Sequence, residues 1–311
     1  MIRHSAIAFL LATLLLSTAA LPAQARVLSV GPHRALRLPS QAAAVAHDGD
    51  RVTIDPGIYR DCAIWVASNL VIEGRAPGVT MAGPACAERG IFIVIGNNTT
   101  VRNIAFSGAH GHWHTAAGIL AEGVNLLVEN SRFEDNENGI LAGGGPASQI
   151  RVVDSRFRGN GSCEGSCAHG IYVGKPIALL DVARCHFLDT RTAHHIKSRA
   201  RTTIVRDSDI AHGDSGTSSY LIDIPNGGDV LIERNSLQKG PNSGNPEVAI
   251  TIGEEGVKNA TLSLIVRDNA FVSAVQNPTH FVRNNTTAPA ILGGNRLEGR
   301  VIPLTGPGVV Q

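Results

Sequence analysis

Along most of the chain a β-branched pair is followed by polar residues and then an aromatic or aliphatic anchor. The copies are Val101–Phe106, Val128–Phe133, Val153–Phe157, Val182–Phe187, Val205–Ile210, Ile232–Leu237, Val266–Phe271 and Leu292–Leu297. Subtracting successive anchor positions gives steps of 27, 24, 30, 23, 27, 34 and 26 residues. A second motif keeps the same beat: Gly90-Ile-Phe-Ile, Gly118-Ile-Leu-Ala, Gly139-Ile-Leu-Ala, Gly170-Ile-Tyr-Val, His195-Ile-Lys-Ser, Leu221-Ile-Asp-Ile and Ala249-Ile-Thr-Ile. Repeats of this length, made of short alternating stretches without helices, predict a solenoid with one coil per repeat and Ile or Val stacked inward. A β-sandwich has no reason to recur at this step. Asn or Asp recurs in the bends because its side chain tolerates left-handed backbone and bonds to neighbouring main chain.

One segment breaks the pattern. Ser40–His47 has a serine to cap it, an alanine-rich body and a stop at Asp48-Gly49-Asp50, which predicts a short helix. A cap over about residues 36–49 would cover the apolar end of the first coil, with coils over about 50–299. Solenoids need such caps. Residues 300–311, with two prolines and two glycines after Arg300, are expected to leave the repeat as a tail.

The opening Asp48-Gly-Asp-x-Val-x-Ile-x-Pro-Gly-x-Tyr59, with the repeats that follow, resembles the right-handed parallel β-helix proteins, of which pectate-lyase-like enzymes are the best known. The resemblance runs from roughly Gly49 to Gly299 and implies an all-β, single-domain chain.

Met1–His4 is positively charged, Ala6–Leu16 is apolar, and Leu21-Pro-Ala-Gln-Ala25 ends in small residues. This predicts a signal peptide over 1–25, too short to span a bilayer, and a secreted or periplasmic domain over 26–311. With 27 Lys and Arg against 26 Asp and Glu, the chain lacks the basic excess of a nucleic-acid binder. All five cysteines follow the leader. Cys62 and Cys86 lie about one repeat apart, Cys163 and Cys167 bracket a Gly-Ser loop, Cys185 could pair with either, and the odd count leaves a thiol over. A zinc site at Cys163 and Cys167 lacks a second ligand pair.

Aligning the second motif yields an outward row of Phe92, Leu120, Leu141, Tyr172, Lys197, Asp223 and Thr251. Two residues on, a further row reads Val94, Glu122, Gly143, Gly174, Arg199, Pro225 and Gly253. With Ile196 and Ser198 inward, strict alternation turns His195, Lys197 and Arg199 out together. Only four lysines occur in the chain, and this one sits between a histidine pair and two arginines.

These types suit an acidic polysaccharide. Removing the proton beside a uronate carboxylate needs a cation on that carboxylate, a base for the carbon acid and a proton donor for the leaving oxygen. Arg199 matches the carboxylate as a planar fork. Lys197, its pKa lowered by the like charge of Arg199, and His195 are rival bases, and Tyr172 or Tyr220 is the acid. Asp223, His169, His194 and Trp113 are candidate substrate contacts. His169 and His194 start their strands, where alternation points them inward as a ladder but bends often break parity.

Ile196-Lys197-Ser198 is similar to the stretch carrying the catalytic lysine in β-helical lyases of chondroitin-type and alginate polymers. That resemblance implies a lysine base with an arginine partner. The chain departs from it at Asp223, where an arginine is expected, and in lacking a set of calcium-binding acids. The function expected is a lyase acting by β-elimination. The alternatives are a polysaccharide C5-epimerase, or a non-catalytic carbohydrate-binding or structural protein whose outer charges only solvate the face. No cofactor or metal ligand is assigned. Calcium over Glu122, Glu134, Asp135 and Glu137, and zinc or copper at His110, His112 and His114, compete with ordinary exposed turns.

Overall fold

The computed structural model describes residues 25–311, so the expected leader lies, except for Ala25, outside the described residues. Three parallel sheets run the length of the solenoid, with 12, 10 and 10 strands. Each coil contributes one strand to each in turn. Sheet A runs from Val27–Val30 to Gly308–Val310, sheet B from Gly57–Tyr59 to Arg296–Glu298, and sheet C from Ala63–Trp65 to Val301–Thr305.

Both ends differ from expectation. Val27–Val30 pairs in parallel with Arg51–Ile54, so sheet A begins before the helix. The helix is Pro39–Val45, starting one residue before Ser40. Its first turn is closed by the Gln41 side chain, which accepts hydrogen bonds from the Arg37 and Leu38 amides at 2.7 and 3.1 Å, so the serine is not the cap. Ala42 is fully buried against the first coil, as a cap requires. At the other end the chain does not trail away: Val301–Thr305 pairs with Thr279–Asn284, and Gly308–Val310 with Ala290–Gly293. Pro303 is tolerated because it lies on the last strand of its sheet, where a missing N–H costs no ladder bond.

Inside, the recurring anchors stack. Phe106, Phe133, Phe157 and Phe187 have ring centroids 5.3, 4.7 and 4.5 Å apart and lie nearly parallel. The glycine of the second motif makes room for them: a Cβ on Gly139 would stand 2.8 Å from the Phe157 ring, and one on Gly118 2.9 Å from Phe133. The bends carry the expected left-handed residues, among them Asn103, Asn130, Asp154, Asp207 and Asp268. Buried asparagines add a second ladder, in which Asn235 Nδ2 donates to Asn269 and Asn269 Nδ2 to Asn295, both at 2.9 Å.

Cys62–Cys86 and Cys163–Cys167 are disulfides, and Cys185 is the buried free thiol. Among the described residues no helix is long and apolar enough to cross a membrane.

Candidate functional site

The register of sheet C sets the outward row as Ile93, Leu120, Leu141, Tyr172, Lys197, Asp223, Thr251 and Arg283. Phe92 is therefore corrected: it pairs with Ile119 and is fully buried. Towards the N-terminus the row is apolar, with Ile93, Leu120 and Leu141 packed near Cys86. From Tyr172 onward it becomes polar and charged.

His195 is also corrected. It is fully buried, with Nδ1 2.8 Å from the Thr190 hydroxyl, Nε2 3.1 Å from the Ser218 hydroxyl, and its ring stacked 5.2 Å from His212. Burial lowers its pKa to about 3, so it stays neutral and out of reach of any polymer. Its column in the second motif, Gly170 above and Leu221 below, is an inward column, and the His195 ring lies edge-on to Phe187 at 6.3 Å. Because His195 and Ile196 both point inward, alternation breaks, and His194 joins Lys197 on the outer side.

His169, His194 and Tyr220 form a ladder at the bend entering sheet C. Nδ1 of His169 accepts the His194 amide, and Nδ1 of His194 accepts the Tyr220 amide, each at 3.2 Å. The two imidazoles stack at 4.9 Å, and His194 lies 4.9 Å from the Tyr220 ring. With Nδ1 accepting, a neutral His194 carries its proton on Nε2, which faces Asp223 Oδ2 at 3.4 Å. Burial, reinforced by Lys197, lowers its pKa to about 3. Both lone-pair nitrogens are committed to main chain, so these histidines position the groove wall.

Lys197 Nζ lies 2.9 Å from Asp223 Oδ2 and 2.8 Å from Glu255 Oε1. Arg199 Nη1 lies 2.8 Å from Glu255 Oε2, and its guanidinium sits 5.8 Å from the centroid of the Tyr172 ring. Burial alone would lower Lys197, but Asp223 and Glu255 outweigh it and its pKa ends above 10.5. The expected lowering by Arg199 is thus corrected, because Glu255 stands between the two cations and Asp223 adds a second carboxylate against Lys197. Burial raises Asp223 to about 6, only partly offset by Lys197. Glu255 is brought down to about 2 despite burial, by hydrogen bonds from Lys197 and Arg199. Burial and then the hydrogen bond that its hydroxyl donates to Glu254 raise the Tyr220 phenol, keeping it protonated.

Glu255 was not legible as a site residue. It sits on a loop just past the strand Val248–Ile252, between Gly253 and Gly256 at φ of +80° and +87°, and no repeat register reaches it. Trp113 is 71% exposed but belongs to the loop before Ala117–Ala121, three coils from Lys197. At about 4.8 Å per coil that is ~14 Å along the axis. Two of the acids proposed for calcium have other partners: Glu122 pairs with Arg89 at 2.6 Å, and buried Glu137 accepts the Ala116 amide at 2.7 Å. Among the described residues no group of three or more potential ligands is arranged around a metal position.

Residues 46–175 match a family model described as right handed beta helix region. The chain has the right-handed parallel β-helix fold. No curated protein matches it in sequence. Among solved structures, this β-helix is similar to an alginate lyase from Paenibacillus sp. str. FPU-7, at 16% identity over 91% of this chain and 99% of that one, TM-score 0.55. It is similar to the pectate lyase Pel9A at 14% identity over 89% and 78%, TM-score 0.56, and to ORF18 of Geobacillus virus E2 at 12% over 83% and 52%, TM-score 0.54. At these identities the likeness concerns the fold.

Behind the groove wall of the β-helix lies Lys239, fully buried, donating from Nζ to the carbonyls of Ser219 and Val248 at 2.6 Å each. Those carbonyls flank Tyr220 in its own coil and the next. Burial lowers the ammonium from 10.5 to about 7. The unfolded chain keeps this proton up to 10.5 whereas the folded chain sheds it near 7, so between those values the unfolded state binds more protons and raising pH favours folding. Urea titrations should show stability rising from pH 7 to 9 with a slope approaching ~1.4 kcal/mol per unit. Lys239→Met should flatten that rise. An unchanged slope in the variant would assign it to another group.

Proposed function

We propose that the protein binds an acidic polysaccharide along sheet C and cleaves it by β-elimination at Lys197. One observation carries this reading: the Glu255 carboxylate sits on Arg199 and touches Lys197, occupying the position from which a uronate carboxylate held by Arg199 would bring its acidic C–H bond to Lys197. The Glu255 side chain is 43% exposed on a glycine-flanked loop, so an incoming carboxylate can displace it. The stacked outward face suits a polymer lying across successive coils, and the names of the similar structures, an alginate lyase and a pectate lyase, support the same substrate class by analogy of fold. The leader-like N-terminus and the two disulfides support a secreted or periplasmic location.

In this mechanism Arg199, seated against Tyr172, takes the uronate carboxylate and stabilises the charge that develops as the adjacent C–H bond breaks. Unprotonated Lys197 takes that proton. The electron pair forms the carbon–carbon double bond, the glycosidic C–O bond breaks, and Tyr220 protonates the leaving oxygen. Asp223 and His194 hold Lys197 in place. Because Lys197 must first lose a proton its carboxylate partners retain, kcat/KM should climb with pH through the alkaline range. Glu255→Gln, which removes one of the two carboxylates and frees the clamp, should move this limb to lower pH and lower KM. An alkaline limb that stays put in Glu255→Gln would count against Lys197 as the titrating base.

The separation of Asp223, at about 6, from Glu255, at about 2, favours a second reading, hydrolysis with Asp223 as the acid. A panel of uronate polymers decides. Ultraviolet-absorbing unsaturated ends mark elimination, and reducing ends without absorbance mark hydrolysis. Exchange of the carbon-bound proton into solvent without cleavage marks an epimerase. Saturable binding without any of these marks a binding protein.

A further inference from the structure

A second cleft lies at the corner between sheets A and B. It has a volume of about 460 Å³ and is lined by Pro77, Ala105, Asn130, Arg132 and Arg156, among others. Arg132 and Arg156 are register partners on neighbouring strands of sheet B, both exposed. Among the described residues neither guanidinium has a carboxylate within 4.0 Å or a hydrogen-bonding partner, whereas several outward arginines of sheet A are neutralised across its ladder. Arg102 pairs with Glu73 at 2.6 Å, Arg206 with Asp181 at 3.2 Å and Arg267 with Glu233 at 2.6 Å. Like charges directly opposite one another in a sheet repel, so an unneutralised pair is suited to an anion that bridges it.

The remaining walls narrow the ligand. Asp154 is taken by Arg184 at 2.7 Å, so it does not cancel the pair. The row position before Arg132 is Ala105, a small residue that leaves a notch beside the Pro77 loop and offers an apolar floor. Asn130 donates through Nδ2 to Asn103 at 2.8 Å, leaving its carbonyl oxygen to accept from a hydroxyl. Two planar forks, an apolar floor and an amide acceptor correspond to the acid group, ring face and hydroxyls of an acidic sugar.

We propose that this cleft is a second saccharide site, in which the carboxylate of a uronate bridges Arg132 and Arg156 and its ring rests over Ala105 and Pro77. It shares no residue with the groove on sheet C and does not rest on the reading of that groove. The test is arginine footprinting of the full chain. Phenylglyoxal modification of each arginine is read by mass spectrometry with no addition, with a galacturonate trimer, a mannuronate trimer, maltotriose or inorganic sulfate. One of the uronate trimers is expected to slow modification of Arg132 and Arg156 severalfold, with little protection from maltotriose or sulfate. Equal rates with and without both trimers overturn the proposal. Protection by sulfate or maltotriose as strong as by the trimers overturns it too, since the cleft would then select only charge or only sugar. Arg199, followed in the same digests, reports on sheet C separately.

Discussion

Lys197→Ala is expected to lower kcat for uronate-polymer cleavage by about 10²- to 10⁴-fold, the usual contribution of a positioned base. KM should change little, because Arg199, the carboxylate clamp, keeps its seat beside Tyr172 and Asn226. The decisive companion is Lys197→Arg. It preserves a cation between Asp223 and Glu255 but cannot be deprotonated at any accessible pH. If Lys197 removes the proton, this variant is as inactive as the alanine. Near-native turnover in Lys197→Arg would sink the base assignment and leave Lys197 as a charge neutraliser only. Substrate cleavage is followed by absorbance of the unsaturated product.

Phe157→Ala is expected to destabilise the chain by about 3–5 kcal/mol, the range for truncating a buried aromatic. The ring is 1% exposed and stacked between Phe133 and Phe187 at 4.7 and 4.5 Å. Gly139 presses on its edge, so the surrounding backbone has little freedom to collapse into the space left. The midpoint of urea unfolding should drop with little change in its slope, and Phe157→Leu should lose a smaller part. A loss under ~1 kcal/mol for the alanine variant would mean that the coils slide together to refill the ladder.

The register of the coils was legible because each residue type repeats in its own column. The Phe anchors, the motif glycines and the Asn or Asp of the bends recur at the step of the solenoid, and each recurrence reports one structural need: volume, absence of volume, or a left-handed backbone. Tyr172, Lys197 and Asp223 could be placed on one face by the same alignment, and they occupy successive positions of the outward row of sheet C. His195 shows where alternation fails. Its own column, shared with glycines, Leu221 and Ala249, already carried the inward signal, and that signal outweighs parity at a strand entry.

Glu255 and Lys239 could not be read in this way. Glu255 reaches Lys197 from 58 residues away through a loop outside any column. Lys239 looks like the polar end of a strand, yet the packing of the next coils encloses it completely.

The sequence by itself determined the solenoid and most of the residues stacked along each face, though not where the coils begin and end, since nearest-neighbour stacking repeats locally and leaves a periodic trace. Only the tertiary structure decided which charges meet. Whether Lys197 is held as a cation, where the carboxylate between it and Arg199 comes from, and which arginines lack a partner all depend on loops and neighbouring coils. Electrostatic energy depends on distance and burial in three dimensions, and neither has a period in the chain.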